Sequence, residues 1–253
     1  MNLSQENHFL QINCQTWNQE AHRFFGRTPL PDYGPFAPGE EELRLLGDVE
    51  NKRVLDIGCG SGHSLQYMAL RKAGELWGLD LSSTQIETAR QLLQDKTPQL
   101  RLFASPMEAD PGLPHGYFDI VYSIFALGWT VNLHKTFNNI WNYLKPGGVF
   151  VFSWEHPLYN RVEYQDDSSI FHKSYLQEGP YYHEKWPAPA VMHQYKLSTY
   201  VNELIGTGFQ IEKVIEEVSI PDDSSENNRN AWYFIEKAKL VPATLIMKSR
   251  KPG

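Results

Sequence analysis

The stretch VLDIGCGSG, residues 54 to 62, decides how this chain reads. Three glycines, Gly58, Gly60 and Gly62, fall within five positions, just after a short apolar run that carries Asp56. A strand, a glycine-rich turn and a helix start make a nucleotide-binding crevice in open α/β sheets. Glycine there lets the backbone take positive φ, or lets a ligand touch the main chain. Asp80 ends the next strand-like segment, twenty positions after Gly60. A carboxylate at that place accepts hydrogen bonds from ribose hydroxyls, so the pattern predicts an adenosine-type ligand held by its sugar.

Outward from this stretch, strand and helix patterns alternate. RVLDI (53–57), ELWGLD (75–80), LRLFA (100–104), FDIVYS (118–123) and GVFVFS (148–153) read as strands. A helix opens near Ser61, and SSTQIETARQLLQ (82–94) is a second, N-capped by Ser82 or Ser83. Residues 134–144 form a third, stopped by Lys145-Pro146-Gly147-Gly148. This order predicts a doubly wound α/β fold, a mainly parallel sheet with helices on both faces.

Ahead of the core, Leu10, Cys14, Trp17, Ala21 and Phe24 share one helical face, and its stripe of Leu10, Trp17 and Phe24 reads as packing rather than cofactor contact. Residues 155–197 follow the fifth strand, are dense in Tyr, Trp, His and Pro, and show no clean period. They predict a cap inserted at the carboxyl edge of the sheet. A helix from Ser198 and two strands, FQIEKVIEEV and PATLIMKSR, close the chain, with the polar loop DDSSENNRN between the strands. A single domain over 1–253 is predicted in four parts. These are an N-terminal helical cap (1–50), a ligand-binding core (51–154), a substrate-cap insert (155–197) and the closing helix and strands (198–253).

Composition narrows the function. The chain has 253 residues and a formal net charge of −7. That argues against a duplex nucleic-acid partner, which needs concentrated Lys and Arg. The densest basic run, the terminal KSRKPG, reads as a solvated tail. Cys14 and Cys59 are too few for a disulfide framework or a Cys-rich zinc site, and no metal site is expected. The first residues lack a basic and an apolar signal region, and no apolar run is long enough to span a bilayer. A soluble cytoplasmic protein is expected.

The adenosine ligand can be narrowed too. A dinucleotide fingerprint needs G-x-G-x-x-G, and here the third position is His63. No phosphate loop of the G-x-x-x-x-G-K-[ST] type occurs, and Asp56 would repel a pyrophosphate. A ligand with a ribose and no phosphates fits, and S-adenosylmethionine is one, its ammonium favoured by a nearby carboxylate.

VLDIGCGSG followed by LWGLDLS resembles the first two motifs of the class I S-adenosylmethionine-dependent methyltransferases. FDIVYSIFALGW and YLKPGGVFVFSWEHP resemble later core segments of that family, especially its small-molecule branch. Trp17-Asn18 with Ala21 and Phe24 is similar to the W-[DN]-x-x-A-x-x-Y helix common in that branch. The resemblance implies a seven-stranded Rossmann-like sheet. It implies that Asp56, Gly58, Gly60 and Gly62 line the methionine end, that Asp80 holds the ribose and that Leu81 stacks on adenine. Met107 and Glu108 would border the adenine, and Ser123 to Ala126 would face the cofactor. Two positions depart from the pattern. Ser105-Pro106 stands where many relatives have Gly-Asp, leaving adenine recognition to backbone or Glu108. Phe24 stands where Tyr is usual, with Tyr33 as a stand-in hydroxyl.

The expected reaction is methyl transfer to an O, N, S or activated C atom of a small molecule. Neither cysteine is placed for pyrimidine carbon chemistry, and Ser123-Ile124-Phe125-Ala126 replaces the [DN]-P-P-[YF] of amide and adenine amine methylation. Tyr159, Tyr164, Phe171, Tyr175, Tyr181, Tyr182 and Trp186 of the cap either wall a substrate pocket or form the cap's own core. His193 and His156 are the candidate proton acceptors, with Glu155 and Tyr195 behind them. A cofactor-binding protein without catalysis and a nicotinamide oxidoreductase are the alternatives.

Overall fold

The computed structural model describes residues 2–94, 99–165, 168–183, 186–220 and 232–253. The glycine stretch joins β1 (Arg53–Ile57) to α3 (His63–Leu70), behind α1 (Leu3–Glu20) and the short α2 (Glu40–Leu43). Then follow β2 (Glu75–Asp80), α4 (Ser83–Leu93), β3 (Leu100–Ala104), β4 (Phe118–Ile124), α5 (Leu133–Tyr143) and β5 (Leu144–Glu155). The insert contributes two hairpins, β6 (Val162–Gln165) with β7 (Ser168–Phe171) and β8 (Gly179–Tyr182) with β9 (Val191–Gln194). The chain closes through α6 (Leu197–Thr207), β10 (Gln210–Ile215), α7 (Ile235–Ala238) and β11 (Thr244–Arg250).

The main sheet has seven strands in the order β10-β11-β5-β4-β1-β2-β3, parallel except for the pairings that β11 makes. This is the predicted Rossmann-like sheet. Strand order reverses between β1 and β4, and crevices open at the carboxyl ends beside such a switch. Strands buried on both faces read as continuous apolar runs, and β1 does. Leu55 and Ile57 enter one core layer with Phe137 and Ile140 of α5, while Val54 enters the other with Leu65 and Met68 of α3. Helix starts are built locally. The Ser82 hydroxyl accepts the Gln85 N–H at 3.1 Å and caps α4, and Asn132 caps α5 through the Lys135 N–H.

Three expectations change. β5 starts at Leu144, four residues early, because Gly147 and Gly148 pair with Lys251. The terminal basic run is not a solvated tail. Lys248 to Arg250 lie in β11, Arg250 pairs with Glu212, and Lys251 Nζ donates to the carbonyls of Trp141 and Leu144. The face that α1 buries is polar. Glu6, Asn13, Thr16 and Glu20 are buried, and Asn13 exchanges two hydrogen bonds with Val191 of β9 as a strand neighbour would. The polar loop expected at 222–230 lies outside the described residues.

The glycines divide their work. At Gly62 (φ +85°) an added Cβ would lie 2.9 Å from the Cβ of Ala89, so this glycine lets α3 approach α4. At Gly60 (φ +51°) an added Cβ meets nothing within 4 Å. Gly62→Ala should therefore lower stability by about 2–4 kcal/mol, from overpacking added to strain. Gly60→Ala carries the strain alone and should lose roughly 1 kcal/mol. Urea denaturation of both variants measures the difference, and equal losses would refute the division.

Candidate active site

The carboxyl ends of β1, β2 and β4 open onto one cleft enclosing about 980 Å³, mouth included. Asp56, Gly58 and Gly60 line it from β1 and its turn, Asp80 and Leu81 from the end of β2. Ser105, Pro106, Met107 and Glu108 follow β3, and Ile124 ends β4 with Phe125 and Ala126 after it. The N-terminal segment closes the remaining side through Leu10, Trp17, Phe24 and residues 26–29. The stripe read as packing thus faces the cleft, because the opposite, polar side of α1 makes the buried contacts.

Asp80 holds the turn. Its Oδ2 accepts the Gly60 N–H at 2.9 Å and its Oδ1 accepts the Ser82 N–H at 2.9 Å. Burial pushes its pKa up to about 6, against the two N–H groups that favour the charged form. Asp56 is 2% exposed, and burial followed by the charge of Asp80 holds it well above the usual carboxylate range. The buried Cys59 thiol is pushed up for the same reasons. Two carboxyl groups beside a glycine turn make this end of the cleft receptive to cations and to hydroxyl donors.

Other predicted residues sit differently. Glu108 borders the cleft, but its Oε1 accepts from the Thr130 hydroxyl and the Val131 and Asn132 N–H groups, so it braces the start of α5. Gly62 packs helices and does not line the cleft. Ser123 is fully buried and donates to the Ile57 carbonyl at 2.7 Å, tying β4 to β1 instead of facing a ligand. Tyr33 is no stand-in hydroxyl. It is fully buried and donates to Glu40 at 2.6 Å, away from the lining.

Neither candidate base lines the cleft. His156 Nδ1 accepts the Leu158 N–H at 3.2 Å, so Nε2 carries the proton and faces Glu216 at 2.7 Å. Both nitrogens are used in holding the loop. His193 is 3% exposed, with no hydrogen-bond partner for either nitrogen among the described residues. It lies between Phe9 and Tyr195, beside a small cavity that Asn160 and Tyr181 also border. Glu155 accepts from Trp232 and Tyr233 in the same region.

The cap aromatics divide as well. Tyr159 is buried in the cap and packs on Tyr233, whereas Phe171 and Tyr182 are exposed. Trp186 meets the rings of Trp17, Phe24 and Trp129 behind the cleft wall. Sequence reasoning missed Trp129. Its signal was an aromatic in the FALGW run directly after β4.

Burial pushes the His193 pKa down to about 4, below the unfolded value of about 6.5. The unfolded chain then binds the extra proton between those values, so stability falls as pH drops from 7 through this window. At pH 5 the loss from this group is about 2 kcal/mol. His193→Phe should remove that share. Urea denaturation at pH 7 and pH 5 reads it, and an unchanged pH sensitivity in the variant would show that His193 is not held neutral.

Comparison with known proteins agrees with this geometry. Residues 55–152 match the family Methyltransf_11, described as a methyltransferase domain. An uncharacterized protein of Haemophilus influenzae is 28% identical over 221 residues, covering 83% of this chain and 85% of its own. The trans-aconitate 2-methyltransferase of Deinococcus radiodurans is 28% identical over 135 residues, and the match spans 53% of this chain and 47% of that protein. A crystal structure of an S-adenosylmethionine dependent methyltransferase from Mesorhizobium loti superposes with a TM-score of 0.70 at 28% identity, covering 82% of this chain and 94% of that one. With its glycine turn, acidic β2 end and seven-stranded sheet, this chain has the fold of the class I S-adenosylmethionine-dependent methyltransferases, and its core matches a methyltransferase domain.

Proposed function

We propose that this chain binds S-adenosylmethionine in the cleft and transfers its methyl group to a small molecule. The observation that carries the reading is the Asp80 carboxylate, fixed at the cleft edge by the Gly60 and Ser82 N–H groups with Asp56 beside it. The cofactor supplies a sulfonium methyl as electrophile. Asp80 would accept from the ribose hydroxyls, Asp56 would offset the ammonium, and Leu81 and Met107 would flank the adenine. The same acidic pair argues against a nicotinamide dinucleotide, whose pyrophosphate would lie beside Asp56.

Catalysis then rests on placement. His193 and His156 do not line the cleft, and His63, which does, has its Nδ1 engaged by the Ser61 hydroxyl at 3.0 Å. Holding a nucleophile in line with the methyl supplies up to roughly 7–11 kcal/mol of a barrier. The N-terminal segment would exclude water from the cleft, and the insert at 155–197 would support the acceptor side through Trp186. A cofactor sensor without turnover is the reading to separate. It predicts binding with no S-adenosylhomocysteine formed from any acceptor in a small-metabolite screen.

Calorimetry with S-adenosylhomocysteine tests the cofactor site. Asp80→Ala should weaken binding at least tenfold, since hydrogen bonds to a charged group contribute about 1.5–3 kcal/mol each. The ionised carboxylate accepts from both hydroxyls and the protonated one does not. Affinity should therefore rise with pH through about 6, the value burial gives Asp80. Wild-type affinity that stays flat from pH 5 to 7.5, or an Asp80→Ala variant that binds normally, would remove the assignment.

A further inference from the structure

The cleft has two unlike walls. Asp56, Asp80 and the glycine turn form the polar wall. Trp17, Phe24, Phe125 and Trp129 face it from α1, the segment after it, and the turn after β4. Trp17 stands edge-to-face to Phe24 and to Trp129, each with centroids 5.0 Å apart. Behind them Trp186 stacks on Phe24 at 4.7 Å and 5° and meets Trp129 at 5.0 Å. These rings come from stretches distant in sequence and fix one another's orientation, so the wall is rigid.

Charge points the same way. The carboxyl groups lining the cleft are Asp56, Asp80 and Glu108. Arg27 is the one Lys or Arg in the described lining; it is exposed, with its guanidinium over the Phe24 ring at 5.7 Å. A carboxylate or phosphate acceptor would enter beside the Asp80 carboxylate with no buried cation to receive it. A flat ring gains from offset or edge-on contact with aromatic side chains, and positive charge on it gains further from their faces.

Resting on the cofactor reading above, we propose that the methyl acceptor is a planar, non-anionic aromatic compound that packs on the Trp17–Phe24–Trp129 wall and carries the nucleophilic atom. Trp17 and Trp129 are then specificity residues, and polycarboxylates of the trans-aconitate kind are poor ligands.

The test uses the full chain saturated with S-adenosylhomocysteine. Indole, quinoline, 7-hydroxyquinoline and trans-aconitate are each titrated by calorimetry and by ligand-observed saturation-transfer NMR. The expected result is binding of at least one planar probe, at least tenfold tighter than trans-aconitate. Trp129→Leu and Trp17→Leu should each weaken that probe at least tenfold more than they weaken S-adenosylhomocysteine. With S-adenosylmethionine instead, bound 7-hydroxyquinoline should react as its phenolate, its proton lost to solvent: the oxygen–methyl bond forms as the methyl–sulfur bond breaks, and S-adenosylhomocysteine is released. Tighter binding of trans-aconitate, silence from all three planar probes, or planar binding untouched by both variants overturns the proposal. Should S-adenosylhomocysteine itself fail to bind, the cofactor reading has failed, and planar-probe binding to the unsaturated chain then decides the aromatic wall separately.

Discussion

One half-buried carboxylate joins three parts of this molecule. Asp80 accepts from Gly60, which fixes the turn after β1, and from Ser82, which fixes the turn after β2. Ser82 then caps α4 with its hydroxyl oxygen and donates that hydroxyl to Asn18 of α1 at 2.7 Å. Asn18 also accepts the Thr84 N–H at 3.3 Å. The glycine turn, the start of α4 and the helix that closes the cleft are therefore held through one connected set of hydrogen bonds. Charge-assisted bonds of this kind contribute about 1.5–3 kcal/mol each, and the raised pKa of Asp80 records the desolvation set against them. A residue placed to meet a ligand also assembles the site that meets it.

The core was legible because its signals are local. RVLDI, ELWGLD and LRLFA are strands with the boundaries the apolar runs suggest, and Ser82 is the cap that its residue type suggests. Gly58, Gly60, Asp80, Leu81 and Met107 reach the cleft because each sits at a strand end, where topology alone aims it. What was not legible depends on which partner a segment finds. The terminal basic run looks solvated until Gly148 and Glu212 are seen beside it. Glu6, Asn13, Thr16 and Glu20 recur at helical spacing, so a polar face was visible, but its burial follows from β9 and the start of α5.

The two histidines failed for a related reason. A position just past β5 is near the carboxyl edge in sequence, yet β5 lies one strand beyond β4, whose end forms the cleft. Phe125 and Trp154 stand between the two, their rings 5.2 Å apart. His156 is spent on loop geometry, and His193 is enclosed by the rings of Phe9 and Tyr195. Burial lowers the pKa of both, so the environment that hides them also makes them weak proton acceptors.

Phe125 shows how the fold holds an unfavourable residue at the boundary between cleft and cap. Its φ of +54° is an outlier for a bulky side chain, a strain of about 1–3 kcal/mol. The backbone is held there by the Ser153 carbonyl and hydroxyl, which accept its N–H at 3.0 and 3.3 Å. The ring is held by Gly34, where an added Cβ would stand 2.5 Å from it, and by Trp154 and Tyr233. Strain persists only where surroundings over-determine a conformation. Here the register of β4 on β5 fixes the main chain while the N-terminal segment, β5 and the residues before α7 enclose the side chain. Relaxing φ would swing the ring out of that enclosure and break the wall it shares with Trp129, so the packing that retains the strain is the packing that shapes the cleft.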